Sequence, residues 1–195
     1  MKDFWEKQHK ENSALYLSGH SGQTVLDGLY LYKLPKENPR VLEIGVGLGI
    51  CTNDLVKMDA EVDCLDISLE ALERVRNIAK NGFLIPEALP SGSYDLAISY
   101  CVTQHMNTPD LRKQLKHVIQ SLKPDGIFAM QYAMPYHADR IYESAAAQES
   151  GSVCRTAETM NDLIEAAEGR VVFHRIWGFF PQYNSGWAIV HVGKK

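Results

Sequence analysis

The chain has 195 residues, 45% of them hydrophobic and 23% charged, with a formal net charge of −4. That length and balance fit a single globular domain over residues 1–195 with a core of its own, and exclude a disordered chain. The acidic balance, with a sequence pI near 6.0, argues against a general nucleic-acid binder, which needs a basic face to neutralise phosphates.

The opening residues, Met1 to Lys7, are charged and lack the apolar core of a signal peptide. No apolar run reaches the length of a membrane span. Cys51, Cys64, Cys101 and Cys154 are isolated, with no CxxC pair, so neither zinc-ligand spacing nor a redox motif is present. The expectation is a cytoplasmic protein with no membrane partner, no metal and no disulfide framework.

Residues 1–38 read as an N-terminal helical segment and candidate lid, with helices around Phe4 to Lys10 and around Val25, Leu26, Leu29 and Tyr32. A sharper pattern runs through 40–195. Val41 to Ile44 is a short apolar run ending in glycines, which predicts a buried strand; Thr52 to Met58 predicts a helix, and Glu61 to Leu65 a second strand closed by Asp66. Ser68 is placed to cap a helix whose inner face carries Leu72, Val75 and Ala79 and which Asn81-Gly82 is expected to end.

Only about a dozen residues separate Gly82 from the next strand, Asp95 to Tyr100, leaving room for a stub of strand at Phe83 to Ile85 and no helix. Thr108-Pro109 then predicts a helix start, with Leu111, Leu115, Val118, Ile119 and Leu122 on its inner face. A turn at Pro124 to Gly126, a strand at Ile127 to Tyr132, a helix from Ala157 to Ala167 and strands at Val171 to Trp177 and Trp187 to Val192 complete the chain. Strands alternating with helices imply a doubly wound Rossmann-like α/β sheet, mostly parallel, with at least one antiparallel strand at the end.

The chemistry concentrates in Glu43-Ile44-Gly45-Val46-Gly47-Leu48-Gly49, between a strand and a helix, with Asp66 closing the following strand. Glycines there permit tight turning and close approach of backbone to a ligand, and an acidic residue at that distance suits ribose hydroxyls. A dinucleotide loop wants a small residue where Ile50 stands, which counts against NAD. The ExGxGxG loop resembles the first motif of class I S-adenosylmethionine-dependent methyltransferases. Leu89-Pro90 with Tyr94-Asp95, Gln104-His105, Leu122-Lys123-Pro124-Asp125-Gly126 and Arg155 to Glu158 resemble later segments of that family.

The resemblance implies strand order 3-2-1-4-5-7-6 with a shortened strand 3, and S-adenosyl-L-methionine as cofactor with S-adenosyl-L-homocysteine as product. It implies a cofactor site of Glu43, Gly45, Gly47, Gly49, Asp66, Ile67 and Tyr100, with Tyr16 and Gly19 folding over it. The acidic residue that usually follows strand 3 to meet the adenine amine has only Glu87 as a nearby candidate, in poor register.

Methyl transfer from a sulfonium is an in-line displacement, so alignment carries much of the catalysis. His105, past strand four, is the candidate base or acceptor orienter; the alternative is a cap or packing residue beside the cofactor. Tyr132, Tyr136 and His137 are candidates for an acceptor pocket, or form an ordinary aromatic loop. Absence of the motifs of base-modifying and metal-dependent enzymes points to an O or N of a small metabolite as acceptor. A non-catalytic scaffold that keeps S-adenosylmethionine binding, and an NAD-dependent oxidoreductase, stand as the alternatives.

Overall fold

Short runs of β-branched and apolar residues, interrupted by glycine and by helical stripes, fold as the periodicity predicts. The computed structural model describes residues 1–11, 20–135, 143–180 and 185–195. Strands β1 (Arg40–Ile44), β2 (Glu61–Asp66), β3 (Asn81–Leu84), β4 (Tyr94–Ser99), β5 (Leu122–Pro135), β6 (Gly169–Phe180) and β7 (Ser185–Lys194) form one sheet. Its order is β3-β2-β1-β4-β5-β7-β6. The first five strands pair in parallel, and β7 runs antiparallel between β5 and β6.

Alternation along β1 sends its side chains to two cores. Leu42 and Ile44 join Leu111, Leu115 and Val118 of α5 (Thr108–Ser121) and Leu163 and Ile164 of α7 (Ala157–Ala166). Val41 joins Val25 and Leu26 of α2 (Gly22–Gly28), Leu55 of α3 (Ile50–Lys57) and Leu72 and Val75 of α4 (Leu69–Val75) on the other face. Two further helices are α1 (Lys2–Lys10), which packs on α4, and α6 (Ala145–Ser150).

Three local expectations shift. Helix α4 stops at Val75 and a turn follows, so Asn81 and Gly82 start β3 instead of ending the helix. Asn81 is drawn into the strand because its Nδ2 donates to the buried Asp63 Oδ1 at 2.7 Å. Helix α5 is capped one residue earlier than expected, by Asn107, whose Oδ1 accepts from the Asp110 amide at 2.8 Å. Pro124 to Gly126 is absorbed into β5 beside a register irregularity against β4.

The shortened strand 3 is present as four residues paired to β2, and residues 85–93 connect it to β4 without a helix. The flank of α5 therefore lacks the neighbour that a crossover helix would supply.

At the edge of the sheet away from the glycine loop, Asp63 is fully buried yet satisfied. It accepts from Arg40 Nη2 at 2.8 Å, Tyr94 Oη at 2.8 Å and Asn81 Nδ2 at 2.7 Å, tying four strands together. Asp95 pairs with Lys36 and Lys123, each at 2.8 Å. The Tyr94-Asp95 pair read from the sequence is thus a structural device.

Candidate functional site

The carboxyl ends of β1, β2 and β4 open on a cavity of about 360 Å³, where ligands sit in open α/β sheets. Its floor is the loop from Gly45 to Gly49. The Gly45 amide donates to Leu65 carbonyl at 2.9 Å, and the Val46 amide to Asp66 Oδ2 at 2.8 Å, so the loop is fastened to the end of β2. Gly45 and Gly49 hold positive φ, and a Cβ would run into Val102 Cγ2 at the first and stand 2.6 Å from Val75 Cγ1 at the second. Gly47 has nothing within 4 Å of an added Cβ, leaving open backbone that a ligand can approach.

Two buried carboxyl groups line the cavity. Glu43, 4% exposed, accepts from Thr52 Oγ1 at 2.6 Å, and burial holds it protonated up to about 7. Asp66 accepts from the amides of Val46 and, at 2.9 Å, Ser68. Burial raises its carboxyl above the usual range, against the lowering effect of those amides and of His9.

Helix α1 lies over this end. Glu6 takes the exposed amides at the start of α4, accepting from Leu69 at 2.7 Å and Glu70 at 3.3 Å, and from Ser68 Oγ at 3.0 Å. Arg74 Nη2 donates to His9 carbonyl at 2.5 Å. So latched, α1 turns Met1, Trp5 and His9 into the cavity wall. His9 is 4% exposed, and its Nδ1 makes no hydrogen bond to a described residue.

At the end of β4 the chain bends through Cys101 at φ 60°, a left-handed conformation that non-glycine residues rarely hold. Gln131 Oε1 accepts from the Cys101 amide at 3.1 Å and stabilises it. The turn carries Tyr100 into the cavity, with the ring of His20 edge-on at 5.2 Å.

A short 3₁₀ turn at Thr103–His105 follows. Thr103 Oγ1 donates to Gln131 carbonyl at 2.5 Å, and the buried Arg155 donates to the carbonyls of Thr103 at 3.3 Å and Met106 at 2.6 Å. Arg155 also pairs with Glu143, which accepts from the Thr108 amide at 3.0 Å.

These contacts fix His105. Its Nδ1 lies 2.7 Å from Gln148 carbonyl and its ring meets Trp5 edge-on at 4.8 Å. A carbonyl only accepts, so Nδ1 carries the hydrogen and Nε2 keeps its lone pair. Burial lowers the imidazole's pKa, which keeps it neutral near pH 7.

Glu43, Gly45, Gly47, Asp66, Ile67, Tyr100 and His105 thus line one cavity, while Gly49 shapes the loop from behind. Tyr132 does not join them. It is buried in the α5 and α7 core, with its hydroxyl 2.7 Å from His174 Nε2 of β6. Tyr16, Gly19, Tyr136 and His137 lie outside the described residues. Sequence reasoning missed Trp5 and Gln148 as wall residues, and Gln114, which lines the cavity at 6% exposure. Gln114 had a signal, a polar residue within the apolar stripe of Leu111, Leu115 and Val118. Among the described residues no cluster of His, Cys, Asp and Glu is placed to hold a metal ion, and no helix is long and apolar enough to cross a membrane.

A methyltransferase domain family matches residues 42–128, from β1 into β5. Solved structures share the methyltransferase fold beyond those bounds. One is Burkholderia thailandensis 1,6-didemethyltoxoflavin-N1-methyltransferase with 1,6-didemethyltoxoflavin and S-adenosylhomocysteine, 15% identical at a TM-score of 0.74, covering 100% of this chain and 87% of that one. Another is Haemonchus contortus phosphoethanolamine N-methyltransferase 2 with S-adenosyl-L-methionine, 16% identical at 0.73, covering 99% of this chain and 59% of that one. The [4+2]-cyclase SpnF is 14% identical at 0.65, covering 86% and 78%. No curated protein matches the sequence. The class I resemblance read from the motifs and the S-adenosylmethionine it implied agree with these matches. A cyclase on the same fold shows why the reaction must be argued from the site.

Proposed function

We propose that the chain is an S-adenosylmethionine-dependent methyltransferase acting on an O or N of a small metabolite, with residues 1–195 as one domain and α1 as its lid. The observation that carries this reading is one cavity that combines the open glycine loop, two buried carboxyl groups and a neutral histidine whose Nε2 has no hydrogen bond to a described residue.

The residues present fit the cofactor. Gly47 offers backbone with no side chain in the way, and Asp66 and His9 Nδ1 suit ribose hydroxyls, since His9 otherwise buries an unpaired nitrogen. Glu43 suits the cationic end, where a positive charge would draw its proton off. Ile67, Tyr100 and Trp5 supply apolar wall. When bound, the cofactor supplies an electrophilic methyl group on a sulfonium.

The protein's own part is alignment, exclusion of water and proton removal. Helix α1, latched by Glu6, covers the cavity and places Trp5 against His105. His105 Nε2 accepts a proton from the acceptor's O–H or N–H, and Gln148 carbonyl, holding Nδ1–H, stabilises the resulting imidazolium. The cavity takes a small molecule more readily than a polymer.

Calorimetric titration with S-adenosylmethionine and S-adenosylhomocysteine, beside NADH and with Asp66→Ala, tests the cofactor. Micromolar binding of the sulfonium compound or its product, lost in the variant, supports the reading; a screen of amines and hydroxylated acids then seeks the acceptor. Absence of both binding events refutes it, and NADH binding would favour an oxidoreductase.

A further inference from the structure

The cavity does not end at the cofactor loop. Because residues 85–93 contain no helix, it continues to the flank of α5, where Asp110, Lys113, Gln114 and His117 line it. Asp110, Lys113 and His117 are exposed at the rim. Gln114 is not. It is 6% exposed, and neither Nε2 nor Oε1 makes a hydrogen bond to a described residue.

A buried carboxamide with both ends unpaired is costly, and native proteins rarely keep one without a partner in the working state. Other unpaired polar atoms have different settings. Ser99 Oγ and Gln104 Oε1 are buried away from the cavity wall, and His9 stands beside Asp66. The cavity that Gln114 lines also carries Ile85, Leu89, Val102 and Met106, all packed on the same core as Leu111 and Leu115. An apolar slot with one carboxamide at its side suits a flat heteroaromatic ring that presents a donor next to an acceptor.

We infer that Gln114 reads the adenine of the cofactor, Oε1 accepting from the exocyclic amine and Nε2 donating to the adjacent ring nitrogen. This rests on the cofactor reading above. A carboxamide matches that edge of adenine in two hydrogen bonds. Glu87, the one acidic residue near the end of β3, lines the cavity but is exposed and offers acceptors only. The adenine contact has thus moved from the loop after β3 to the helix that the missing crossover leaves uncovered.

The test compares S-adenosylhomocysteine with its 6-deamino analogue, which carries purine in place of adenine, by calorimetry on the full chain and on Gln114→Leu. The unsubstituted protein should prefer the adenine compound by about tenfold, the worth of one buried hydrogen bond. Gln114→Leu should bind the two nearly alike, with affinity for S-adenosylhomocysteine down by about tenfold or more. Its ligand-free Tm should rise, since leucine removes two orphaned polar atoms, while the Tm increase caused by S-adenosylhomocysteine shrinks. Gln114→Met, closer in shape, repeats the comparison if leucine fails to fold. A preference for adenine that survives in the folded variant overturns the assignment to Gln114. Binding of neither compound by the unsubstituted protein overturns the cofactor reading, and this inference with it.

Discussion

Glu43 offers the most quantitative test, because its cost to the folded state depends on pH. The carboxyl, ordinarily titrating at 4.5, is held protonated up to about 7 by burial against the opposing hydrogen bond from Thr52. At about 1.4 kcal/mol per pH unit the difference corresponds to roughly 3 kcal/mol. The sign follows from proton counting. Between 4.5 and about 7 the folded chain holds a proton that the unfolded chain has released, so stability falls as pH rises through that window and levels off above it. Glu43→Gln keeps an acceptor for Thr52 and never ionises. It should equal the unsubstituted protein near pH 4.5, gain progressively to about 3 kcal/mol by pH 8, and then stay level. Burial lowers the pKa of His9, His105 and His191, which act in the opposite direction, but they are common to both proteins and cancel in the difference. Urea unfolding at half-unit pH steps, without cofactor, measures it. The same substitution should weaken S-adenosylmethionine binding most at pH 8 and less at pH 5.5, where Glu43 must first give up its proton to meet the cationic end. A stability difference independent of pH would refute the reasoning, because it would mean that Glu43 ionises in the fold as readily as in water.

Three further outcomes are expected. His105→Gln should lower kcat by about 10²–10⁴-fold with little change in S-adenosylhomocysteine affinity, and turnover by the unsubstituted protein should fall on the acid side only below the ordinary histidine value of 6.5; an unaltered kcat would leave His105 a packing residue. Arg155→Met, which keeps the stem but removes the donors to Thr103 and Met106 and the partner of Glu143, should cost about 3 kcal/mol in urea unfolding; a loss under 1 kcal/mol would mean the turn holds without it. Glu6 is held below the ordinary carboxylate range, burial being outweighed by the α4 amides and Ser68, so its contribution is present above 4.5 and is lost as pH falls through its folded value. Glu6→Gln should therefore raise hydrogen exchange at the Leu69 and Glu70 amides at pH 7 and weaken cofactor binding, and unchanged protection would refute the latch.

What the sequence discloses is what short-range pattern encodes. The ExGxGxG loop, Asp66 and the β1 and β2 runs lie within residues 41–66, and their spacing alone specifies a strand, a tight turn and a facing acid. The cap at Ser68 was legible for the same reason, since its bond to the Ala71 amide spans three residues. The end of α4 was misread because Asn81-Gly82 is an equally good helix stop, and only the distant Asp63 recruits Asn81 into a strand. Alternation along β5 gives the face of Tyr132, which it shares with the cavity residues Val102 and Met106, but not its distance from them, and the side chain reaches His174 of β6 instead.

The residues that complete the site depend on longer contacts. Glu6 meets Leu69, Trp5 meets His105, and Arg155 meets Thr103 from far apart in the sequence, and no local period marks such pairs. Gln114 lies between these cases. Its break in the apolar stripe of α5 is visible in the sequence, but its meaning depends on the helix missing from residues 85–93. In a fold where that helix covered α5, a buried glutamine there would contact its neighbour. Here the same position faces a cavity, so the short connection and the misplaced glutamine are two parts of one arrangement. The absence that put the adenine contact in doubt leaves an open flank, and that flank holds a side chain suited to make the contact.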